Sequence, residues 1–236
     1  MNPASAAFLY GRLRDTVFSG HAALARVCSI GILAGVLAVG GAPAPVQAAI
    51  DPDTPPDVLV KTVSTEVIEL IRNDKDLQAG DARKVRDLIE TRILPQFDFS
   101  RMTALAMGAS WRRATPEQQK DLVEQFRTLL VRTYASGVTA YRDQVIEFKP
   151  LRAKPGDTDV IVRSEVKRSG TQPVTIDYGM GKTPDGWKVY DVIIGGVSLV
   201  TTYRDTFVQE VRQSGVDGLI RMLSDKNRQL EQQARK

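Results

Sequence analysis

Near residue 144 the spacing of apolar residues changes, and that change limits the folds open to this chain more than any other feature. Before it, apolar residues recur at helical intervals. Val58, Leu59, Val63, Val67, Ile68 and Ile71 make one stripe, and Val85, Leu88, Ile89 and Ile93 a second. The longest stripe holds Leu122, Val123, Phe126, Leu129, Leu130, Thr133, Tyr134, Val138 and Tyr141. After it the period is two: Val160, Val162, Ser164 and Val166 alternate with Ile161, Arg163, Glu165 and Lys167. Short turns at Ser169-Gly170 and Thr183-Pro184-Asp185-Gly186 join these segments, so the sheet is expected to be antiparallel and curled. Helical spacing returns after Ser198. The expected fold is α+β, a cone of helices packed on one curled sheet.

Local signals place the boundaries. A helix is expected from Asp57 to about Asn73-Asp74, and another from Ala82 to about Leu94, stopped by Pro95. Asp98 is positioned to cap a short helix that stops at Gly108. Thr115-Pro116-Glu117-Gln118 reads as a capping box opening the long helix, which runs to about Asp143. Strands are expected from Val145 to Leu151, Val160 to Arg168, Pro173 to Met180 and Trp187 to Ile194. A helix carries Leu199, Val200, Tyr203, Phe207 and Val211 as far as Gly215, and a last one holds Val216, Leu219, Ile220 and Leu223. The polar tail, residues 227–236, is expected to fray.

Residues 1–48 read as a cleaved secretory signal: Arg12, Arg14 and Arg26, then the apolar run Val27 to Gly41, then APAPVQA with small residues at a cleavage site. The run is about 15 residues, short of the roughly 20 that a spanning helix needs. Cleavage would leave one domain, residues 49–226, and the tail. Losing three Arg and one Asp lowers the net charge from +4 to +2, which gives no reason to invoke nucleic acid. The same piece carries the only cysteine, Cys28, and the only histidine, His21. The remainder then has no thiolate or imidazole for a metal, and no Ser-His-Asp or Cys-His nucleophile. No metal, cofactor or catalytic residue is expected. Any enzyme would have to use carboxylates, Tyr, Lys, Ser or Thr.

The stretch YDVIIGGVSLVTTYRDTF, Tyr190 to Phe207, closely resembles the signature of the MlaC/toluene-tolerance family of periplasmic phospholipid-binding proteins. Phe97 to Gln119 (FDFSRMTALAMGASWRRATPEQQ), the F-x-x-L-L-x-x-x-Y pattern at Phe126, Leu129, Leu130 and Tyr134, and GVDGLIRMLSDK at Gly215 to Lys226 follow in family order. The resemblance implies a fold of the nuclear-transport-factor-2 (NTF2-like) type with an apolar pocket between helices and sheet. It implies a periplasmic shuttle that binds phospholipid acyl chains. Its partners would be an outer-membrane lipoprotein complex and an inner-membrane transporter with an MCE domain, served as a monomer. One branch of the family is associated with hopanoids, so the lipid class stays open.

The inward stripes supply the candidate lining: Phe126, Leu130 and Tyr134 from the long helix; Val162, Val174, Ile176, Tyr178 and Val189 from the strands; Val200, Tyr203 and Phe207 from the signature helix. Periodicity alone fits an ordinary core as well as a pocket. Tyr178 and Tyr203 are candidates to aim a hydroxyl at the mouth. Gly195-Gly196 suits either a hinge or a turn with unusual dihedrals. Arg204 is expected to pair with a carboxylate, with a partner surface or a head-group phosphate as the alternatives. The clusters Arg83-Lys84-Arg86 and Arg112-Arg113 read as solvated faces or docking charges. Two rivals remain. One is an enzyme of the same fold type using Asp191 with Tyr178, since Asp177 and Tyr178, adjacent on a strand, face opposite ways. The other is an adaptor with a filled core.

Overall fold

The computed structural model describes residues 51–139, 144–168, 170 and 172–234. The predicted signal segment and Tyr141, with the predicted end of the long helix, lie outside the described residues.

Pro56 supplies a pre-set φ at the start of helix α1 (Pro56–Asn73), with Asp57 in the first turn and Arg72 in the last, each complementing the helix dipole. The carboxylate of Asp74 then accepts from the amides of Asp76 and Leu77, capping a short helix that apolar spacing did not predict, α2 (Lys75–Ala79). Gly80, at φ 80°, ends it. Asp81 caps α3 (Ala82–Leu88). The helix expected to continue to Leu94 instead widens into a π turn, Ile89–Ile93, and tightens into a 3-10 turn, Leu94–Gln96. Pro95 has no N–H and its ring displaces the carbonyl one turn back. Thr91 Oγ1 also donates to the Asp87 carbonyl at 2.6 Å.

Asp98 caps α4 (Phe99–Met107), which stops at Gly108, and a 3-10 turn comes next, Gly108–Arg113. At Thr115 both halves of the capping box form, opening α5 (Pro116–Val138). The sheet is an antiparallel meander in the order β1 (Val145–Phe148), β2 (Asp159–Lys167), β3 (Val174–Thr183), β4 (Gly186–Ile194), β5 (Val197–Ser198). The register sets Val160 opposite Met180, Val162 opposite Tyr178, Ser164 opposite Ile176 and Val166 opposite Val174, so these share one face. Ser164 tolerates burial there because its hydroxyl donates to the Ile176 carbonyl at 2.6 Å. On the edge strand β1, Lys149 and Lys167 bracket Glu147. Hydrogen bonding to Lys167 and then Lys149 holds the Glu147 carboxyl at about 2.

Gly195 and Gly196, both at positive φ, form the two-residue turn between β4 and β5. The chain then enters α6 (Leu199–Ala234), broken at Gly215 (φ 72°) where the sequence places a helix end. The expected fraying of the tail is not observed. Helix continues to Ala234, with Asn227 buried and its amide donating to the carbonyl and side-chain oxygens of Gln125. No helix among the described residues is long and apolar enough to cross a membrane.

Among the described residues the core has three parts. One lies among α4, α5 and α6, around Met102, Phe126, Phe207 and Leu219. A second lies between the sheet and α1, where Leu59 and Val60 meet Val160, Val162, Met180 and Val189. A third joins α1, α2, α3 and the back of α5.

Candidate functional site

The family-like segment at the end of the sheet can be read residue by residue. Tyr190 is an extra residue in β4: Gly179 pairs with Asp191 but Met180 pairs with Val189. This bulge lets Val189 and Val192 both turn to the α1 side, three positions apart. Asp191 falls on the outer side and caps α6, accepting from Ser198 Oγ at 2.5 Å and the Val200 amide at 3.2 Å. Tyr178 pairs with Val192 and lies on the opposite face, so the Asp191–Tyr178 pair considered for an enzyme is not assembled. Among the described residues Arg204 meets no carboxylate; its Nε donates to the Leu105 carbonyl near the end of α4, at 3.1 Å.

The eleven candidate lining residues fall into separate groups. Phe126, Leu130, Tyr134, Val200, Tyr203 and Phe207 lie together in the all-helical cluster. Phe126, at 0 % exposure, meets the rings of Tyr203 and Phe207 edge-on, with centroids 5.0 Å away in each case. Val162, Tyr178 and Val189 lie in the sheet–α1 cluster. Ile176, buried, and Val174, half-buried, continue the same face of β3. Phe97 is the aromatic residue packed against both clusters. It bridges to Val189 in a parallel sense, and the Asp98 amide donates to the Val189 carbonyl at 2.9 Å.

Sequence reasoning missed Phe97 and the α1 residues Leu59 and Val60. The α1 stripe was legible, but which surface it covers was not. The bulge did leave a trace, since valines three apart in a strand break the period of two.

The hydroxyl of Tyr134 is buried with no hydrogen-bond partner in the described structure. Burial pushes its phenol well above the usual tyrosine range, and the nearby Tyr203 hydroxyl adds to the shift. Burial raises Tyr203 as well, partly offset by the hydroxyls of Tyr134 and Thr133. Three hydroxyls therefore converge inside the helical cluster. As neutral groups they can donate to an ester or carbonyl oxygen, but as bases they are poor.

The sequence profile of the family described as MlaC protein matches residues 61–225, well over half of the chain. The chain belongs to the MlaC family. The phospholipid-binding protein of Ralstonia solanacearum, solved in complex with a phospholipid, is 42% identical, with a TM-score of 0.69 over 77% of this chain and 99% of that one. The toluene tolerance protein ttg2D of Pseudomonas putida is 26% identical over 165 residues, 70% of this chain and 76% of its own. The intermembrane phospholipid transport system binding protein MlaC of Haemophilus influenzae is 22% identical over 171 residues, 71% of this chain and 80% of its own. Family membership accounts for the helix–sheet–helix order, and the α+β class deduced from the period change stands.

Proposed function

We propose that this protein is a periplasmic phospholipid carrier that holds acyl chains between its sheet and helices and performs no chemistry on them. The observation that carries this reading is the 42% identity, over 99% of the other chain, to a protein crystallised with a phospholipid. Each buried methylene is worth about 0.8 kcal/mol, so two ordinary chains represent roughly 20 kcal/mol or more. Only a sheltered apolar surface can match that. Transfer then exchanges one apolar environment for another.

In this reading Val162, Val174, Ile176, Tyr178 and Val189 form the sheet wall. Leu130, Tyr134, Val200 and Tyr203 form the helical wall, with Phe126 and Phe207 packed behind it. The exported protein serves as a monomer between an outer-membrane lipoprotein complex and an inner-membrane transporter with an MCE domain. That Asp191 caps α6 instead of facing Tyr178 supports the carrier over an enzyme built on that pair.

The test is native mass spectrometry, with organic extraction, of protein collected from the periplasm. A stoichiometric phospholipid is expected. A hopanoid in its place would redirect the reading to another cargo. A protein that emerges bare, and stays bare after mixing with phospholipid vesicles, would refute it.

A further inference from the structure

The outer face of the sheet carries a cluster that the carrier reading leaves unused. Arg101, on α4, reaches across β4. Its guanidinium lies over the Tyr190 ring, 3.6 Å from the centroid, and pairs with Asp159 Oδ1 on β2 at 2.6 Å. The sheet makes room with two glycines. A Cβ at Gly179 would press on the Tyr190 ring at 3.1 Å, and one at Gly181 would overlap the Arg101 guanidinium itself. Directly across the sheet lie Met180, Val160 and Val189, the α1-facing side.

Arg101 also stands three residues after Asp98, whose carboxylate accepts its amide at 2.8 Å. Guanidinium and Asp98 thus move as one turn of helix. The chain just before that turn lies against the edge of β4, where the Asp98 amide bonds the Val189 carbonyl and Lys188 Nζ donates to the Pro95 carbonyl at 2.7 Å. Beyond these bonds, the seam between the helical and sheet clusters is closed by the ring of Phe97.

We propose that Arg101 is a positioning residue of the lipid site: by gripping Tyr190 and Asp159 it latches Phe97 and Asp98 onto β4 and so sets how fast acyl chains leave. This rests on the carrier reading. The latch combines a cation over an aromatic face with a half-exposed ion pair, each of modest strength, so its loss raises seam opening about tenfold rather than unfolding the domain. Lysine keeps the charge for Asp159 but loses the planar stack.

The experiment compares wild type with R101A, R101K and G181A. The last leaves Arg101 in the chain but evicts its guanidinium from the sheet, at a backbone position alanine can adopt. Protein is loaded from phosphatidylethanolamine–phosphatidylglycerol vesicles containing a fluorescent-chain phospholipid, and release to empty vesicles is timed. Hydrogen exchange at the Asp98 amide is followed in lipid-free protein. R101A and G181A should release lipid about tenfold faster at unchanged loading, with R101K between them and wild type, and Asp98 should exchange about tenfold faster while β2 amides stay protected. Unchanged exchange at Asp98 would overturn the latch. Faster exchange with unchanged release would overturn its link to the lipid. A wild type that takes up no phospholipid is a different failure, that of the carrier reading, and shows in loading rather than in rates.

Discussion

Replacing Tyr134 by phenylalanine isolates one oxygen atom. That oxygen is buried without a hydrogen-bond partner, in an apolar cluster that includes Phe126, Leu130 and Tyr203. A buried polar group with no partner costs about 1–3 kcal/mol. Phenylalanine keeps the ring and removes the cost, so Tyr134→Phe should stabilise the protein by about 1 kcal/mol, the lower end because the Tyr203 hydroxyl supplies some compensation. For a domain of this size that raises Tm by roughly 2–4 °C.

Alkaline pH gives a second readout with a definite sign. The folded phenol is held protonated above its ordinary value of 10.0, chiefly by burial. Above that pH the unfolded chain has released this proton and the folded chain has not, so the unfolded state binds fewer protons and stability falls as pH rises. The contribution is complete below about 10 and is lost progressively above it, at about 1.4 kcal/mol per pH unit for one tyrosine. Urea melts at pH 7, 10 and 11 measure both effects. The variant should be more stable at pH 7 and should lose less between 10 and 11. A variant less stable than wild type by 1 kcal/mol or more would mean that the hydroxyl is bonded, and the reasoning would be wrong.

Three further outcomes rest on the same geometry. Asp191→Ala strips the cap from α6 and leaves the Ser198 hydroxyl and Val200 amide without their acceptor; a loss of about 1–3 kcal/mol should appear as a lower urea midpoint, and an unchanged midpoint would refute the capping role. Phe207→Ala opens a void beneath Phe126 and Tyr203 and should cost about 3–5 kcal/mol by the same measurement. Glu147, depressed to about 2 by its lysines, contributes stability that is present above the ordinary 4.5 and is lost as pH falls toward the folded value. Glu147→Gln should therefore flatten acid titration of stability between about 4.5 and 2, and identical acid curves would contradict it.

The parts of this structure that were legible in the sequence are those set by neighbours a few residues apart. Thr115 with Gln118, Asp98 before Phe99, and glycines at 108 and 215 each specify a helix boundary through bonds or dihedrals made locally. Alternation along β2 fixed its inward face for the same reason. What escaped depends on distant chain. Asn227 looks like a tail residue until Gln125 stands beside it. Leu59 and Val60 pack on β2, β3 and β4, the first of which begins nearly a hundred residues later. The turn that widens at Ile89 also carries Arg92, whose partner Glu66 on α1, at 2.8 Å, is distant in sequence. Of the candidate lining, eight side chains are buried and Tyr134, Val174 and Tyr178 are half-buried, and spacing carried no information that six belong to one apolar cluster and three to another.

The extra residue at position 190 has a consequence for fidelity. Were β4 to slip by one place and pair without it, Asp191 would be driven among Val162, Met180 and Leu59, a charge submerged in hydrocarbon at a cost of several kcal/mol. The carboxylate is thus a key cut for a single lock. It keeps a greasy wall, whose valines would be equally content one notch along, from sliding into the wrong frame beneath α1.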